Sequence, residues 1–394
     1  MHKMDRQQTE DKVNEIAGAI CRPDIKDVIP PGLMNGKMGM AIFLLHYARY
    51  AADQEKHDQA CEYVGEIIRE INKGFSFPAF AEGLAGIAWG LMHIKENELI
   101  EMDLNGSFRN MDAFLAGQAR NCMANNRYDF LHGLLGMGLY FLKRKDVRIV
   151  EAIVHWLEEQ SEITGSIGRY WLAGAQQENR NRIDMGLSHG QASILVYLAK
   201  CYKSNFYLPK TMKLMEGSVN FFLSIQQQTG NTGSVFPSFY TPGKREISRM
   251  AWCYGDPGIG WALLYAAHAT QNERWLSNAI EILQRAALRR NPETNGVADA
   301  CLCHGSAGLS YIFRKVCLLT GHTLFQNASD YWLNETLKFS RFSDGIAGFK
   351  KAIPGKPSHT NEPGLLEGAA GIGLSLLHIL TDNEPGWDEC LLLS

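Results

Sequence analysis

Two kinds of helical segment alternate along this chain of 394 residues. The first kind is apolar on almost every side and contains no proline, as in AIFLLHYARY (41–50) and IGLSLLHIL (372–380). The second kind is amphipathic, with apolar positions at helical spacing, as in 147–160 and 274–290. Because an all-round apolar helix is buried and an amphipathic helix lies at a surface, we predict paired inner and outer helices.

A short glycine motif precedes each apolar segment. It consists of one residue followed by Gly-x-x-Gly, in seven copies: NGKMG from 35, EGLAG from 82, HGLLG from 132, HGQAS from 189, YGDPG from 254, HGSAG from 304 and EGAAG from 367. Only the fourth copy departs, because Ser193 replaces its second glycine. Such repetition is typical of arrays of helical hairpins, so we predict a single domain, residues 1–394, built from seven hairpins.

The first and last repeats indicate how these hairpins are arranged. An open solenoid needs polar capping repeats at its two ends. Here the inner helices of the first and last copies are as apolar as those between them. We therefore predict an all-α fold, an α/α toroid or barrel with an inner and an outer layer of helices. In such a ring all seven glycine motifs lie at one mouth of the barrel.

Composition excludes several classes of protein. Lys and Arg number 39 against 42 for Asp and Glu, which leaves no positive surplus for binding nucleic acid. The N-terminal segment is polar where a signal peptide would be apolar, and no apolar stretch reaches the ~18 residues of a membrane span. Nine cysteines without a secretory signal are typical of a reducing compartment. We expect a cytoplasmic protein without a membrane span.

Chemistry-bearing side chains lie next to the glycines. The residues directly before the first glycines are Asn35, Glu82, His132, His189, Tyr254, His304 and Glu367. Cys253 and Cys303 lie one position further back. Two thiolates and one imidazole, from Cys253, Cys303 and His304, suit Zn²⁺ and leave its fourth position open, as in catalytic sites. The spacing fits buried cysteines without a metal equally well, and Cys301 is an alternative ligand.

Two stretches carry a family resemblance: WCYGDPG (252–258) and CHGSAG (303–308). Together with the seven glycine motifs, they resemble the signatures of the lanthionine synthetase C-like family, which includes the class I lanthipeptide cyclases. The resemblance covers nearly the whole chain. It implies an α/α toroid that holds one zinc ion through Cys253, Cys303 and His304, and it therefore favours zinc over unmetallated cysteines.

The resemblance also implies a reaction and a set of catalytic residues. In the family, a peptide cysteine adds to dehydroalanine or dehydrobutyrine, a zinc-dependent Michael-type addition that forms lanthionine or methyllanthionine rings. Asp129, His189, Arg249 and Tyr254 match the polar residues that line the cavity. We expect Arg249 to stabilise negative charge, His189 to transfer a proton and Asp129 to orient His189. The implied partners are a dehydrated precursor peptide, and a dehydratase and an exporter in a biosynthetic complex.

Other functions fit parts of the same pattern. The chain could instead be a member of this family that adds glutathione or another small thiol to dehydroamino acids, or a non-catalytic protein that binds peptide and keeps zinc only for structure. A further alternative is a zinc–thiolate alkylating enzyme on a related toroid. However, the ligand set of such enzymes includes a carboxylate, and their signatures do not match this sequence. A toroidal glycoside hydrolase would need paired carboxylates, for which Glu82, Asp129 and Glu367 are nominal candidates. We expect His132 and Glu367 to hold the barrel together.

Overall fold

The computed structural model describes residues 3–26, 29–102, 105–165, 168–172, 182–206, 208–227, 233–381 and 386–394. Within these ranges, seven apolar inner helices each begin directly after the first glycine of a motif: α3 (Lys37–Ala51), α5 (Leu84–Glu96), α7 (Leu134–Arg144), α9 (Gln191–Lys203), α11 (Asp256–Thr270), α13 (Ser306–Thr320) and α15 (Ala369–Thr381). They are buried along nearly their whole length, as their composition predicts.

An amphipathic outer helix accompanies each inner one in the described ranges: α1 (Lys3–Ala19), α4 (Gln54–Asn72), α6 (Asn105–Ala124), α8 (Val147–Gln160), α10 (Leu208–Ser224), α12 (Glu273–Ala287) and α14 (Thr323–Lys338). Asp53, Asp146 and Asn272 cap three of them by accepting a backbone N–H of the first turn. A short helix α2 (Pro23–Lys26) and a 3₁₀ helix (Trp387–Leu391) complete the helical part. In the described part of the chain no helix is long and apolar enough to cross a membrane.

In the part of the chain that the structure describes, three small antiparallel strand pairs lie in the connections between helices. Strand β1 (Glu162–Thr164) pairs with β2 (Gly168–Tyr170), and β3 (Ile183–Asp184) pairs with β4 (Phe239–Tyr240). Strand β5 (Lys351–Ala352) pairs with β6 (His359–Thr360). Strand β3 leads into motif copy 4, and the pair of β5 and β6 leads into copy 7, so these strands help to fix the loops described below.

The chain divides into two compact units. The first comprises Met1–Met111, Val297–Leu392 and Ser394, and it contains motif copies 1, 2, 6 and 7. The second comprises Asp112–Gly296 and Leu393, and it contains copies 3, 4 and 5. The single domain over residues 1–394 stays a prediction.

In the first unit, the last motif copy lies directly beside the first. The N–H of Leu366 donates to the carbonyl of Met34 at 2.8 Å, and the N–H of Met34 donates to the carbonyl of Ala81 at 2.8 Å. The N–H of Cys303 donates to the carbonyl of Leu366 at 3.0 Å. All four residues stand two positions before a first glycine, and α15 packs against both α3 and α13. The neighbour order of copies 6, 7, 1 and 2 agrees with the predicted closure.

The glycines are required because the loop backbone folds back onto each helix start. A Cβ on Gly83 would lie 2.3 Å from the carbonyl oxygen of Phe77, and one on Gly86 would lie 1.9 Å from that of Phe80. Each collision partner is the residue six positions earlier, and similar collisions with loop carbonyls occur at Gly39, Gly190, Gly255, Gly258, Gly308, Gly368 and Gly371. Only a residue without a Cβ allows this approach.

The fourth copy keeps the same loop without its second glycine. The N–H and the hydroxyl of Ser193 both donate to the carbonyl of Gly190, at 3.1 and 2.7 Å. Gly190 remains extended, with φ −128° and ψ −152°, as the N-cap of α9. The serine therefore leaves the backbone that presents His189 intact.

We predict that Gly86→Ala lowers stability by about 1–3 kcal/mol, because the new methyl group overpacks the loop against its own carbonyl. Gly117→Ala in α6 is the matched control, since nothing lies within 4 Å of a Cβ there. Its expected effect is a stabilisation of up to about 1 kcal/mol from higher helix propensity. Thermal unfolding followed by circular dichroism measures both, and equal melting temperatures for the two variants would contradict the close-approach explanation.

Candidate functional site

A histidine and a carboxylate from motif copies 3 and 4 form a close pair in the second unit. The Nδ1 of His189 lies 2.6 Å from Oδ2 of Asp129. The other carboxylate oxygen of Asp129 accepts the backbone N–H of His132 at 2.7 Å. The His132 ring stacks on that of His189, with centroids 5.8 Å apart. Asp129 and His132 thus fix the orientation of the His189 imidazole.

This pairing changes the protonation of the imidazole. Burial lowers the pKa of His189, but the hydrogen bond to Asp129 and its negative charge, together with the charges of Asp184 and Cys253, outweigh that effect, so that the pKa of His189 lies above its ordinary value. A raised pKa favours imidazolium near neutral pH. With Nδ1 held by Asp129, Nε2 is the nitrogen available to exchange a proton with another molecule.

The loop of copy 5 brings an arginine to a cysteine. The Nη2 of Arg249 donates to Sγ of the buried Cys253 at 3.5 Å. The carbonyl of Cys253 accepts the N–H of Leu187 at 2.9 Å, which ties copy 5 to copy 4. Gly255 has φ 103°, and a Cβ there would lie 2.0 Å from the Arg249 carbonyl oxygen. Only glycine fits this position, so the sharp turn holds Arg249 and Cys253 close together.

Tyr254 contacts a carboxylate that we did not predict from the sequence. Its hydroxyl donates to Oδ2 of Asp184 at 2.8 Å, while Oδ1 of Asp184 accepts the N–H of Gly186 at 2.8 Å. Burial raises the pKa of Asp184, although both hydrogen bonds act against the rise. Burial and the nearby Asp184 also raise the pKa of Tyr254, so its hydroxyl remains protonated and acts as a donor.

The predicted ligands of copy 6 lie in the first unit, in an irregular loop. Cys303 and His304 are adjacent residues of a turn before α13, and they are 9% and 8% exposed. The two ring nitrogens of His304 face carboxylates: Nε2 lies 3.7 Å from Oδ2 of Asp299, and Nδ1 lies 3.9 Å from Oε1 of Glu367. Glu367 also pairs with Lys351 on β5. A metal-binding histidine commonly has such carboxylate neighbours.

Cys301 belongs to a group that braces this loop. Asp299, Cys301 and His304 each offer a metal-ligand atom within 4.8 Å of the others. However, Cys301 Sγ already accepts the N–H of His304 at 3.4 Å, and Asp299 accepts the N–H groups of Cys301 and Ala352 at 3.0 and 2.9 Å. Burial raises the pKa of the Cys301 thiol well above its ordinary value. Cys301 and Asp299 therefore support the backbone of the loop.

Sequence comparison shows which family this chain belongs to. The profile of the family described as "Lanthionine synthetase C-like protein" matches residues 27–392. The chain is therefore a member of the lanthionine synthetase C-like family, as the two cysteine signatures suggest.

Individual relatives are distant but extend over most of the chain. The sequence is 24% identical over 367 residues to the nisin biosynthesis protein NisC of Lactococcus lactis subsp. lactis, covering 86% of this chain and 82% of the relative. It is 22% identical over 323 residues to glutathione S-transferase LANCL1 of Danio rerio, covering 78% and 75% of the two chains.

A solved structure defines the fold class. The structure of nisin cyclase matches this chain with a TM-score of 0.77 and 20% sequence identity, covering 98% of this chain and 97% of that one. The match confirms the predicted all-α class, the helical toroid fold of this family.

We predict that Asp129→Asn lowers the pKa of His189, because the variant removes the negative charge that favours the imidazolium ion. The pH titration of the His189 ring signals by NMR, in metal-free protein, measures the shift. Asp146→Asn is the control, since Asp146 caps α8 through the N–H of Ile149 at 3.2 Å. An unchanged His189 pKa in Asp129→Asn would show that Asp129 does not govern this histidine.

Proposed function

We propose that this protein is a zinc-dependent lanthipeptide cyclase. The reaction is a Michael-type addition of a peptide cysteine to dehydroalanine or dehydrobutyrine, which forms a thioether ring. The observation that carries the proposal is the His189–Asp129 pair in the same unit as Arg249 and Cys253, on a chain of the lanthionine synthetase C-like family. Similarity to a nisin biosynthesis protein supports a role in antibiotic biosynthesis.

Cys253, Cys303 and His304 are the zinc ligands in this proposal. The chemistry of the donors supports the assignment, because two thiolates and one imidazole suit Zn²⁺ and leave a fourth position for substrate. All three residues are buried and stand outside helices, where neighbouring side chains need not diverge as they do along a helix. The carboxylates of Asp299 and Glu367 beside His304 support it further. When bound, zinc would lower the pKa of a substrate thiol and so supply a thiolate nucleophile.

The remaining residues act on the other reactant. When the sulfur bonds to the β-carbon, the electron pair of the double bond moves towards the substrate carbonyl and gives an enolate. Arg249 stabilises that negative charge. His189, held as imidazolium by Asp129, delivers a proton to the α-carbon from Nε2. Tyr254, whose hydroxyl donates to Asp184, belongs to the same group of residues. Addition has no leaving group, so the product keeps the mass of the reactant.

Partners and location follow from this function as part of the proposal. The substrate is a precursor peptide that a dehydratase has already modified. The cyclase works with that dehydratase and with an exporter. No disulfide joins any of the nine cysteines, all of which lie in the described ranges. Because a reducing compartment keeps thiols reduced, we assign the protein to the cytoplasm.

A second candidate is the addition of glutathione to dehydroamino acids. The similarity to glutathione S-transferase LANCL1 of Danio rerio favours it. The same ligands and the same acid–base pair would serve both reactions, which differ in whether the thiol belongs to the peptide. The mass of the product separates them.

We predict that Cys303→Ala and Cys253→Ala each lose stoichiometric zinc, because each removes a ligand of a three-residue site. Cys301→Ala is the matched control: its thiol accepts the His304 N–H and braces the loop, so this variant should keep one zinc per chain. Elemental analysis of purified protein gives the ratio. Retained zinc in Cys303→Ala together with lost zinc in Cys301→Ala would reverse the ligand assignment.

We predict that zinc-loaded protein converts a peptide with one cysteine and one dehydroalanine to a product of unchanged mass that no longer reacts with a thiol-alkylating reagent. His189→Asn should retain zinc and lower kcat about 10²–10⁴-fold, the usual contribution of a general acid. His322→Asn, at the N-cap of α14, is the control for a histidine outside the site.

Mass spectrometry distinguishes the outcomes of this reaction. A product that gains the mass of added glutathione, with the peptide thiol still free, supports the second candidate. A peptide that binds but keeps its thiol and its dehydroalanine contradicts both enzymatic functions. Full activity of zinc-loaded His189→Asn would contradict the role of His189 while leaving cyclisation in place.

A further inference from the structure

A buried ion pair lies behind the loop of copy 5. The Nη1 of Arg289 is 3.1 Å from Oδ2 of Asp256, and the two side chains are 2% and 0% exposed. Asp256 is the first residue of α11 and the aspartate of the WCYGDPG stretch. The proposed reaction assigns it no role. Arg289 lies two residues beyond the end of α12, so the pair joins the start of one helix to the end of the next.

Further hydrogen bonds connect this pair to three chain segments. The carboxylate of Asp256 accepts the N–H of Val235 at 2.9 Å and that of Phe236 at 2.9 Å. Arg289 donates through Nη2 to the carbonyl of Ser248 at 2.7 Å, and through Nε to Oδ1 of Asn295 at 2.9 Å. The ion pair therefore fixes the backbone at 235–236 and at 248, and it holds the side chain of Asn295.

Ser248 and Asn295, which Arg289 binds, both lie next to Arg249, the first in sequence and the second in space. Ser248 is its direct neighbour, and the N–H of Met250 donates to the carbonyl of Asn295 at 2.9 Å. Gly296 has φ 68°, and a Cβ on it would lie 3.1 Å from Cβ of Arg249. The stem of Arg249 thus passes close over Gly296, directly after the Asn295 whose side chain Arg289 holds, and its guanidinium reaches the sulfur of Cys253.

Stability alone is a weak reason for such a pair. The desolvation free energy of two buried charges is about as large as the free energy gained from their attraction. A well-packed apolar pair of the same volume is therefore often as stable. What an apolar pair cannot do is bind two N–H groups, a carbonyl and an amide at defined angles. Arg289 needs its planar fork for this, because its three nitrogens address three different acceptors.

We propose that Asp256 and Arg289 are positioning residues that hold the guanidinium of Arg249 at Cys253. The inference rests on the proposed function, in which Arg249 stabilises the enolate. In this arrangement Asp256, directly after Gly255, fixes the position of Arg249, which stands six residues before that glycine. Asp256 and Arg289 themselves touch no reacting atom.

A double-mutant cycle tests whether the pair acts through Arg249. Asp256→Asn should lower kcat about tenfold or more with little change in KM, since a displacement of about 1 Å at a reacting group has effects of this size. In an Arg249→Ala background, Asp256→Asn should cause no further loss of kcat. The experiment uses full-length, zinc-loaded protein and the peptide with one cysteine and one dehydroalanine.

Asp388→Asn is the matched control. Asp388 forms the buried ion pair with Lys315, at 2.6 Å and with exposures of 4% for Lys315 and 0% for Asp388, and both residues belong to the first unit. The same carboxylate-to-amide change should destabilise the protein, while any loss of kcat should multiply with that of Arg249→Ala. If the losses of Asp256→Asn also multiply with those of Arg249→Ala, the positioning role is wrong.

A spectroscopic measurement separates this inference from the proposed function. The side-chain ¹⁵N signals of Arg249, assigned by their absence in Arg249→Ala, should move in Asp256→Asn and stay unchanged in Asp388→Asn. Arg289→Lys, which keeps the charge, should give the same displacement if Asp256→Asn does not fold. Moved signals in a protein that cyclises no peptide support the positioning and refute the function. Unmoved signals in both Asp256→Asn and Arg289→Lys overturn the positioning, whatever the activity.

Discussion

The loops that carry the candidate site residues depend on one close contact. In it, a loop carbonyl lies so near a motif glycine that no side chain would fit there. At most of the motif glycines, the carbonyl oxygen six positions earlier lies where a Cβ would be, so that the loop can fold directly over the start of an inner helix. The residues between are then forced out of helical geometry. Adjacent side chains such as Cys303 and His304 can therefore point in directions that a continuous helix would forbid.

Backbone hydrogen bonds order these loops relative to one another. In the first unit, the residues two positions before the glycines bond in series through Cys303, Leu366, Met34 and Ala81. In the second unit, Leu187 and Cys253 connect copies 4 and 5. Cys253 and Cys303 thus stand at positions that the scaffold already uses for its own cohesion. The glycines make the scaffold, and the side chains before them are free to differ between copies.

The sequence predicts the repeated part of this structure well. The helix pairs and the seven loops follow from local patterns, because burial and glycine content are readable without knowing the fold. We did not predict Asp184 and Asp299 as site residues. A local signal for them exists, because aligning DMGLSHG with DACLCHG places an aspartate six residues before the first glycine in both copies. The contact of Asp256 with Arg289 has no such local signal, because it joins residues 33 positions apart through tertiary packing.

We propose that Cys253, Cys303 and His304 bind one zinc ion together. X-ray absorption spectroscopy of the zinc-loaded protein tests this, because the distance from zinc to a sulfur ligand is about 2.3 Å, whereas the distance to a nitrogen or oxygen ligand is about 2.0–2.1 Å. Two sulfur ligands in the wild-type protein and in Cys301→Ala, and no stoichiometrically bound zinc in Cys253→Ala, are the result we predict. Two sulfur ligands that persist in Cys253→Ala, or a first shell without sulfur, would show that this ligand set is wrong.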